Sequence, residues 1–353
     1  MNLLVTGGTG FIGRNLLLEL GRSRPDIRVF CLTRRDRFSR DFSHFLRLEG
    51  LDKLVVPVSG DLTDRRSLVK AIARSRPDLV LHMAALTPVR NSWRMKEEYI
   101  RVNYFGTVNL VNAMRQSKET RLVYYSTMEV LKPFSDMEEF REAPTAPEDF
   151  PVYPTSPYAA SKLAAEVYVR TQSDVESVVV RPCNTFDRSI MGLNPESMGY
   201  FVEKAVIYLV TRREPRFDGS PNSVRTWMHV RDHVEALKTI LSMDLKHGQL
   251  FHIAPRDSTM SCGELFKLIV NTYAELVEEL RGPANSGNSN SHLENLRDYL
   301  DKAVWNLNPR PYDPPVLAMK GGNVPGWRPE DIRIRIANTI GNWFRVFYNA
   351  KKI

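Results

Sequence analysis

The sequence is poor in cysteine. Its 353 residues include three, Cys31, Cys183 and Cys262, which are widely spaced and odd in number. A disulfide framework needs an even set, and a zinc site needs ligands separated by about two to four residues. We therefore predict reduced, structural thiols in a cytoplasmic protein, with no bound metal.

Long hydrophobic runs are also missing. No apolar stretch approaches the ~20 residues that span a bilayer. The apolar run at residues 3–5 is too short for a secretory signal, since glycines follow at once. The net charge of +8 comes without a basic helix or an alternation of basic and aromatic residues. These absences predict a chain that binds neither a membrane nor nucleic acid.

Short apolar runs alternate with helix-like segments through the first half of the chain. Because the runs are continuous rather than alternating, they are typical of parallel strands that are buried on both faces. The pattern predicts an α/β fold with a doubly wound parallel sheet. The candidate strands are residues 2–6, 27–33, 54–58, 79–83, 122–126 and 177–180, and the candidate helices include 12–22, 65–75, 99–117 and 157–172.

The pattern changes after Pro182. Short helical stretches punctuated by proline and glycine predict a smaller, irregular lobe, so that 1–182 form one domain and 183–353 mainly the other, with the chain crossing between them. A late strand is expected at 250–253 and a final amphipathic helix at 332–348. The Gly-, Asn- and Ser-rich segment 282–292 is expected to be a mobile loop.

A glycine-rich turn follows the first candidate strand and leads into a helix. It reads Gly7-Gly8-Thr9-Gly10-Phe11-Ile12-Gly13. Such glycines allow a tight turn and a close approach to a pyrophosphate, which the N–H groups at the helix N-terminus can bind. In this strand–turn–helix context the motif predicts a dinucleotide site.

The end of the second strand selects between NAD and NADP. An acidic residue there would bind the ribose 2′-hydroxyl, whereas an arginine accommodates a 2′-phosphate. The chain reads Thr33-Arg34-Arg35, and the first acid is Asp36. We favour NADP. The alternative stays open that the arginines lie on the surface and that Asp36 still reaches the ribose, in which case the cofactor is NAD.

Tyr158 and Lys162 are four residues apart and share one face of a helix. An ammonium beside a phenol favours the phenolate, so Lys162 is expected to lower the pKa of Tyr158 toward neutrality. Ser126 and Thr127 stand about thirty residues upstream, where the fifth strand ends and where catalytic groups gather in open parallel sheets. This combination indicates a site for proton and hydride transfer.

These motifs, in this order and spacing, resemble the extended short-chain dehydrogenase/reductase family, of the nucleotide-sugar epimerase/dehydratase type. The resemblance implies a Rossmann-type domain with a substrate lobe, a homodimer, and a nucleoside-diphosphate sugar as substrate. It places Thr127, Tyr158, Lys162 and Glu129 in catalysis. It assigns to the cofactor Gly7, Gly10, Phe11, Ile12, Gly13, Arg34, Arg35, Asp61, Leu62, Ala84, Ala85, Tyr158, Lys162 and Pro182, and to the substrate Thr87, Ser126, Asn184, Arg225 and Arg310.

The reaction that the resemblance implies is transient oxidation of a hexose at C4, followed by epimerisation or dehydration. In dehydratases of this kind a glutamate at the position of Glu129 removes a proton next to the transient ketone. The chain departs from them at Met128, where many have an aspartate, and at Leu131-Lys132, where a Tyr-Gly pair is usual. Many epimerases and decarboxylases of the family also carry a glutamate at the position of Glu129, and Glu129 as a plain loop carboxylate stays open. A net NADPH-dependent ketone or keto-sugar reductase and a non-catalytic dinucleotide sensor are the alternatives.

Overall fold

A central parallel sheet organises the molecule. The structure, a computed structural model, describes residues 1–24, 26–117, 119–192, 200–281, 299–307 and 312–350. Its strands are β1 (Asn2–Thr6), β2 (Arg28–Thr33), β3 (Val55–Ser59), β4 (Leu79–His82), β5 (Arg121–Tyr125), β6 (Ser177–Pro182), β7 (Asn184–Phe186), β8 (Arg216–Asp218), β9 (Val224–His229), β10 (Leu250–Ile253), β11 (Thr259–Ser261), β12 (Val304–Asn306) and β13 (Val316–Leu317).

Helices separate most of these strands. They are α1 (Phe11–Ser23), α2 (Arg40–Leu48), α3 (Arg65–Ser75), α4 (Val89–Ser92), α5 (Lys96–Tyr99), α6 (Gly106–Met114), α7 (Met137–Glu142), α8 (Pro157–Arg170), α9 (Phe201–Thr211), α10 (Val230–Ser242), α11 (Cys262–Arg281) and α12 (Ile332–Ala350). A π-helical turn covers Ile100–Phe105, and 3₁₀ turns cover Met128–Val130 and Ser189–Met191.

The seven strands of the main sheet run in the order β10-β6-β5-β4-β1-β2-β3, and every pairing is parallel. Successive β1 side chains point to opposite faces, so Leu3 and Val5 pack into one hydrophobic cluster and Leu4 into another. Burial on both faces explains why these strands read as continuous apolar runs. The predicted doubly wound α/β fold is confirmed.

Strand β10 comes from the later part of the chain and lies beside β6 at the edge of the main sheet. The remaining strands after residue 183 form two smaller sheets, in which β9 pairs with β7, β11 and β13, and β8 pairs with β12. Their core contains Phe217 and Trp343. The division into 1–182 and 183–353 and the crossing of the chain between these parts stay predictions.

One predicted helix differs in detail. The sequence suggested a continuous helix over 99–117, but the structure has α5, the π-helical turn and α6 in its place. Asn103 is pinned inside this turn: its side chain accepts from the Leu86 backbone N–H (2.7 Å) and donates to the Ser161 hydroxyl (3.0 Å). The π-helical turn therefore coincides with hydrogen bonds from Asn103 to two other segments. The periodicity of the local sequence does not show such bonds.

The final helix is confirmed as α12, while the expected loop 282–292 lies outside the described residues. Among the helices that the structure describes, none is long and apolar enough to cross a membrane. Sheet and helices together leave one large cleft above the carboxyl ends of the main strands, with a volume of about 1650 Å³.

Candidate active site

The glycine-rich turn forms the floor of this cleft at the end of β1. Gly7 has φ +79°, and a Cβ there would lie 2.8 Å from the Ala84 backbone nitrogen. A Cβ on Gly13 would lie 2.6 Å from the Gly7 carbonyl oxygen. The N-cap of α1 is Gly10, which supplies no side-chain cap, so no side chain occupies the first N–H groups of the helix, and the residues that carry them line the cleft. These features fit a dinucleotide diphosphate.

The end of β2 supplies positive charge to the same cleft. Arg34, Arg35 and Arg37 line it, whereas Asp36 is not among the lining residues that the structure describes. Arg34 is close enough to Asp61 to help lower the pKa of that carboxyl. The predicted cofactor residues Arg34 and Arg35 thus line the same cleft as Asp61.

Asp61 also has a structural role. Its Oδ1 accepts from the Thr63 backbone N–H (2.8 Å) and hydroxyl (2.7 Å), bonds that lower the pKa of the Asp61 carboxyl. The N-cap of α3 is Asp64. Asp61 and the neighbouring Leu62 line the cleft. The local bonding of Asp61 is therefore compatible with its predicted contact with the cofactor.

The turn after β4 brings the backbone close to the cleft at Ala84 and Ala85. His82 lies beneath it, with Nδ1 2.7 Å from the Thr6 hydroxyl and Nε2 3.0 Å from the Thr107 hydroxyl. Burial lowers the pKa of His82 to about 3, so the ring is neutral. His82 therefore holds the turn in place, as we expect of a packed histidine.

Thr127, Tyr158 and Lys162 line one wall of the cleft. Thr127 follows β5, and Tyr158 lies in the first turn of α8, which begins with Pro157 after the Ser156 N-cap. The Thr127 hydroxyl is close enough to the Tyr158 phenol to lower its pKa. The four predicted catalytic side chains, including Glu129, are thus brought to one place at the carboxyl end of the sheet.

The pKa of Tyr158 contradicts the expectation from the sequence. Burial raises it well above its usual value, the Thr127 hydroxyl lowers it, and the nearby Glu129 charge raises it further. Spacing alone predicted that Lys162 would lower this pKa, and that prediction is wrong for the protein by itself. Desolvation of the buried phenol is the largest effect on this pKa.

The surroundings of Lys162 explain the difference. Its Nζ donates to the Tyr125 carbonyl oxygen and lies 4.4 Å from the centroid of the Tyr124 ring. Burial lowers the pKa of Lys162 to about 7, and the Glu166 charge opposes this change in part. The Lys162 amino group therefore bonds mainly to strand β5, and it is only partly protonated near neutral pH.

Sequence reasoning missed a buried ionic network under this wall. The Glu166 carboxylate lies one helical turn after Lys162, accepts from the Ser126 hydroxyl (2.7 Å) and pairs with Arg181 at 2.5 Å. The Glu166 and Arg181 side chains are 1% and 3% exposed. Because the Ser126 proton points to Glu166, Thr127 is the better placed of the two hydroxyl residues to meet a substrate. The sequence contained a signal for Glu166: Tyr158, Lys162 and Glu166 are spaced i, i+4 and i+8, which places them on one face of a helix.

A second missed group joins β5 to the substrate side. The Tyr125 hydroxyl bonds His233 Nε2, and His233 Nδ1 lies 2.7 Å from the Thr185 hydroxyl. Burial lowers the pKa of His233 to about 3. His233 and Thr185 line the cleft. The neutral imidazole of His233 thus connects Tyr125 at the end of β5 to Thr185 in β7.

Four of the five predicted substrate residues line the cleft: Thr87, Ser126, Asn184 and Arg225. Pro182 lines it on the cofactor side. Arg225, 6% exposed, pairs with Asp313 (2.8 Å) and donates to the Pro314 carbonyl, so much of its bonding capacity is used within the protein. Arg310 lies outside the described residues.

Comparison with known proteins gives a family. Residues 3–254 match the model of the NAD dependent epimerase/dehydratase family. The chain is 29% identical over 358 residues to a human dTDP-D-glucose 4,6-dehydratase, covering 99% of this chain and 92% of that one. It is 33% identical over 242 residues to a dTDP-glucose 4,6-dehydratase of Mycobacterium tuberculosis, covering 68% and 69%.

Solved structures share the fold. A UDP-glucose 4-epimerase from Thermotoga maritima, solved with UDP-glucose, aligns with TM-score 0.74 at 20% identity over 98% of this chain and 100% of its own. A dTDP-glucose 4,6-dehydratase from Bacillus anthracis, solved with NAD, aligns with TM-score 0.73 at 18% identity over 98% and 97%. Rossmann-type enzymes of two reaction types thus have this architecture.

Proposed function

This chain belongs to the NAD dependent epimerase/dehydratase family, and from that premise we propose that it converts a nucleoside-diphosphate hexose through transient oxidation at C4. The observation that carries the proposal is the convergence of Thr127, Tyr158, Lys162 and Glu129 with the glycine-rich turn in one cleft. The relatives that act on dTDP-glucose support a substrate of this class.

When bound, an oxidised nicotinamide dinucleotide supplies the hydride acceptor and a fixed positive charge. Tyr158 takes the proton from the C4 hydroxyl, and Thr127 holds the same oxygen through its hydrogen bond. Lys162 stabilises the phenolate electrostatically when protonated. These roles need Tyr158 in its anionic form, which the raised pKa of the buried phenol opposes in the protein alone.

Glu129 decides what happens to the oxidised sugar. In a dehydratase it removes the proton next to the ketone before water leaves the adjacent carbon. Met128 is 1% exposed, so its side chain lies in the core and Glu129 is the carboxylate that this turn presents to the cleft. In an epimerase Glu129 has no proton to remove.

The test compares Tyr158→Phe with Glu129→Gln on a dTDP- or UDP-hexose. Tyr158→Phe keeps the ring and should reduce turnover by about 10²–10⁴-fold while leaving dinucleotide binding nearly unchanged. In a dehydratase, the Glu129→Gln variant should still reduce the dinucleotide and then stall. The absorbance of the reduced nicotinamide, at roughly 340 nm, should therefore persist. In an epimerase the effect of Glu129→Gln should be small. Full activity of Tyr158→Phe would refute the proposed site.

We propose NADP as the cofactor, because Arg34, Arg35 and Arg37 line the cleft where Asp36 does not. The structural relatives solved with NAD favour the other dinucleotide. The same arginines favour a second candidate function, a net NADPH-dependent reductase of a ketone or keto-sugar. Stoichiometric oxidation of NADPH during turnover would select the reductase, since an epimerase or dehydratase regenerates its cofactor.

We propose that the protein is a homodimer through the helices of the 99–117 and 157–172 regions. Two apolar side chains on them, Phe105 and Val167, are each 53% exposed, as a contact surface between copies requires. Analytical ultracentrifugation should give twice the mass of one chain. Phe105→Glu should shift the protein to monomers, and a wild-type monomer at micromolar concentration would contradict the proposal.

A further inference from the structure

Arg188 lies on the cleft between the glycine-rich turn and the substrate side, just before the 3₁₀ turn Ser189–Met191. Its guanidinium carbon is 4.5 Å from the centroid of the Phe11 ring and 4.1 Å from that of the Tyr200 ring. Phe11 is the first residue of α1. The aromatic pair therefore holds a positive charge directly beside the N-terminus of the dinucleotide-binding helix.

The charge of Arg188 is not neutralised by an ion pair in the part of the chain that the structure describes. Its Nε atom is buried and has no hydrogen-bond partner there. Three other arginines, Arg181, Arg225 and Arg335, have side chains that are 3%, 7% and 12% exposed, and each contacts a carboxylate at 2.5–2.8 Å. A buried donor without a partner costs free energy, and an anion bound in the cleft would remove this cost.

The buried carboxyl group of Glu203 is bonded to the backbone at Arg188 and not to its guanidinium. Glu203 Oε1 accepts from the backbone N–H groups of Asp187 and Arg188, both at 3.0 Å. Burial raises the pKa of Glu203 to about 7, while the Arg188 charge acts in the opposite direction. Glu203 thus fixes the segment that carries Arg188 and leaves the guanidinium available to the cleft.

Two positive features meet at this point. The α1 N-terminus begins at Gly10 with no side-chain cap, and its dipole favours an anion. The Arg188 guanidinium stands over the first residue of the same helix. The positive end of α1 and the Arg188 guanidinium repel each other unless an anion lies between them. A diphosphate has two negative charges and can accept hydrogen bonds from both.

We propose that Arg188 binds the diphosphate of the bound dinucleotide from the substrate side of the cleft, opposite the glycine-rich turn. This inference rests on the proposed dinucleotide-dependent function. It assigns to Arg188 a contact that NAD and NADP share, in contrast to Arg34, which would contact the 2′-phosphate of NADP alone. Binding of the cofactor then involves a residue from beyond the nucleotide-binding half of the chain.

The experiment measures dissociation constants by isothermal titration calorimetry for the wild type and Arg188→Met, which keeps an unbranched apolar stem between the two rings. The ligands are NAD, NADP, ADP-ribose and adenosine 2′,5′-bisphosphate, the last of which has no diphosphate. We expect about 10–100-fold weaker binding of the first three, the range of charge-assisted hydrogen bonds, and less than about 3-fold change for the fourth. Arg188→Lys should restore part of the loss.

Arg47→Met is the matched control, since Arg47 is exposed on α2 and should change none of the four constants. Equal weakening of all four ligands by Arg188→Met would indicate a structural role and overturn the inference. So would weaker binding of dTDP or UDP with unchanged ADP-ribose binding, which would assign Arg188 to the substrate diphosphate. A wild-type protein that binds none of the dinucleotides would instead refute the proposed function, and the inference with it.

Discussion

The buried pair Glu166–Arg181 gives a prediction about how the catalytic wall is held together. Glu166→Gln keeps the side-chain size but removes the negative charge that faces Arg181 at 2.5 Å. Because the two side chains are only 1% and 3% exposed, water cannot solvate the remaining guanidinium. Breaking a buried pair by removing one partner costs about 3–5 kcal/mol.

The glutamine carbonyl can still accept one of the hydrogen bonds that Ser126 and Arg181 now donate, so we expect the lower end, about 3 kcal/mol. The assay is equilibrium unfolding in urea, followed by tryptophan fluorescence. Turnover should also fall, because Glu166 bonds join α8, which carries Tyr158 and Lys162, to the end of β5.

The matched control is Glu214→Gln, which breaks an ion pair whose side chains are 49% and 66% exposed. It should change the free energy of unfolding by less than about 0.5 kcal/mol. In the double variant Glu166→Gln/Arg181→Met the orphaned charge is gone, so part of the stability should return. If Glu166→Gln costs no more than Glu214→Gln, the buried pair does not stabilise the site as we argue.

Three further predictions concern the cofactor and the lysine. Arg34→Ala should weaken NADP binding by about 10–100-fold and NAD binding little, as measured by calorimetry; equal losses would show that Arg34 does not contact the 2′-phosphate. Gly7→Ala, which must fit a Cβ 2.8 Å from a backbone nitrogen at φ +79°, should abolish measurable dinucleotide binding, whereas Gly341→Ala in α12, with no atom within 4 Å, should bind normally. The lowered pKa of Lys162, about 7, means that the unfolded chain holds one more proton than the native protein between about pH 7 and 10, so wild-type stability rises with pH there. Lys162→Met should therefore be more stable than the wild type at pH 7, by a margin that shrinks by roughly 1.4 kcal/mol per pH unit; a pH-independent margin in urea unfolding would contradict the shift.

The main sheet was predictable because its strands are buried on both faces. Burial makes them continuous apolar runs, as at Leu79–His82, and such runs are visible without any tertiary information. The four predicted catalytic residues also lie together, because strand ends and the first turn of α8 meet wherever a parallel sheet is doubly wound.

Other features depend on contacts between distant segments. The pKa of Tyr158 could not be predicted from spacing, because it depends on how deeply the phenol is buried. The pairing of Glu166 with Arg181 depends on where α8 lies against β6. The position of Arg188 over Phe11 joins residues from opposite sides of the cleft. In each case the local sequence carries the residue type but not its neighbour.

The place of β10 bears on how the protein is synthesised and on how it can be engineered. Until residue 253 has left the ribosome, the edge of β6 cannot make the bonds it has in the native sheet, such as Val179 N–H to Gln249 and Cys183 N–H to Ile253. An open edge strand of this kind recruits other chains, so a nascent or truncated product that ends near residue 182 should need a chaperone to avoid aggregation. A chimera that exchanges the later half for that of a relative must retain Leu250–Ile253 or replace it with a strand of matching register.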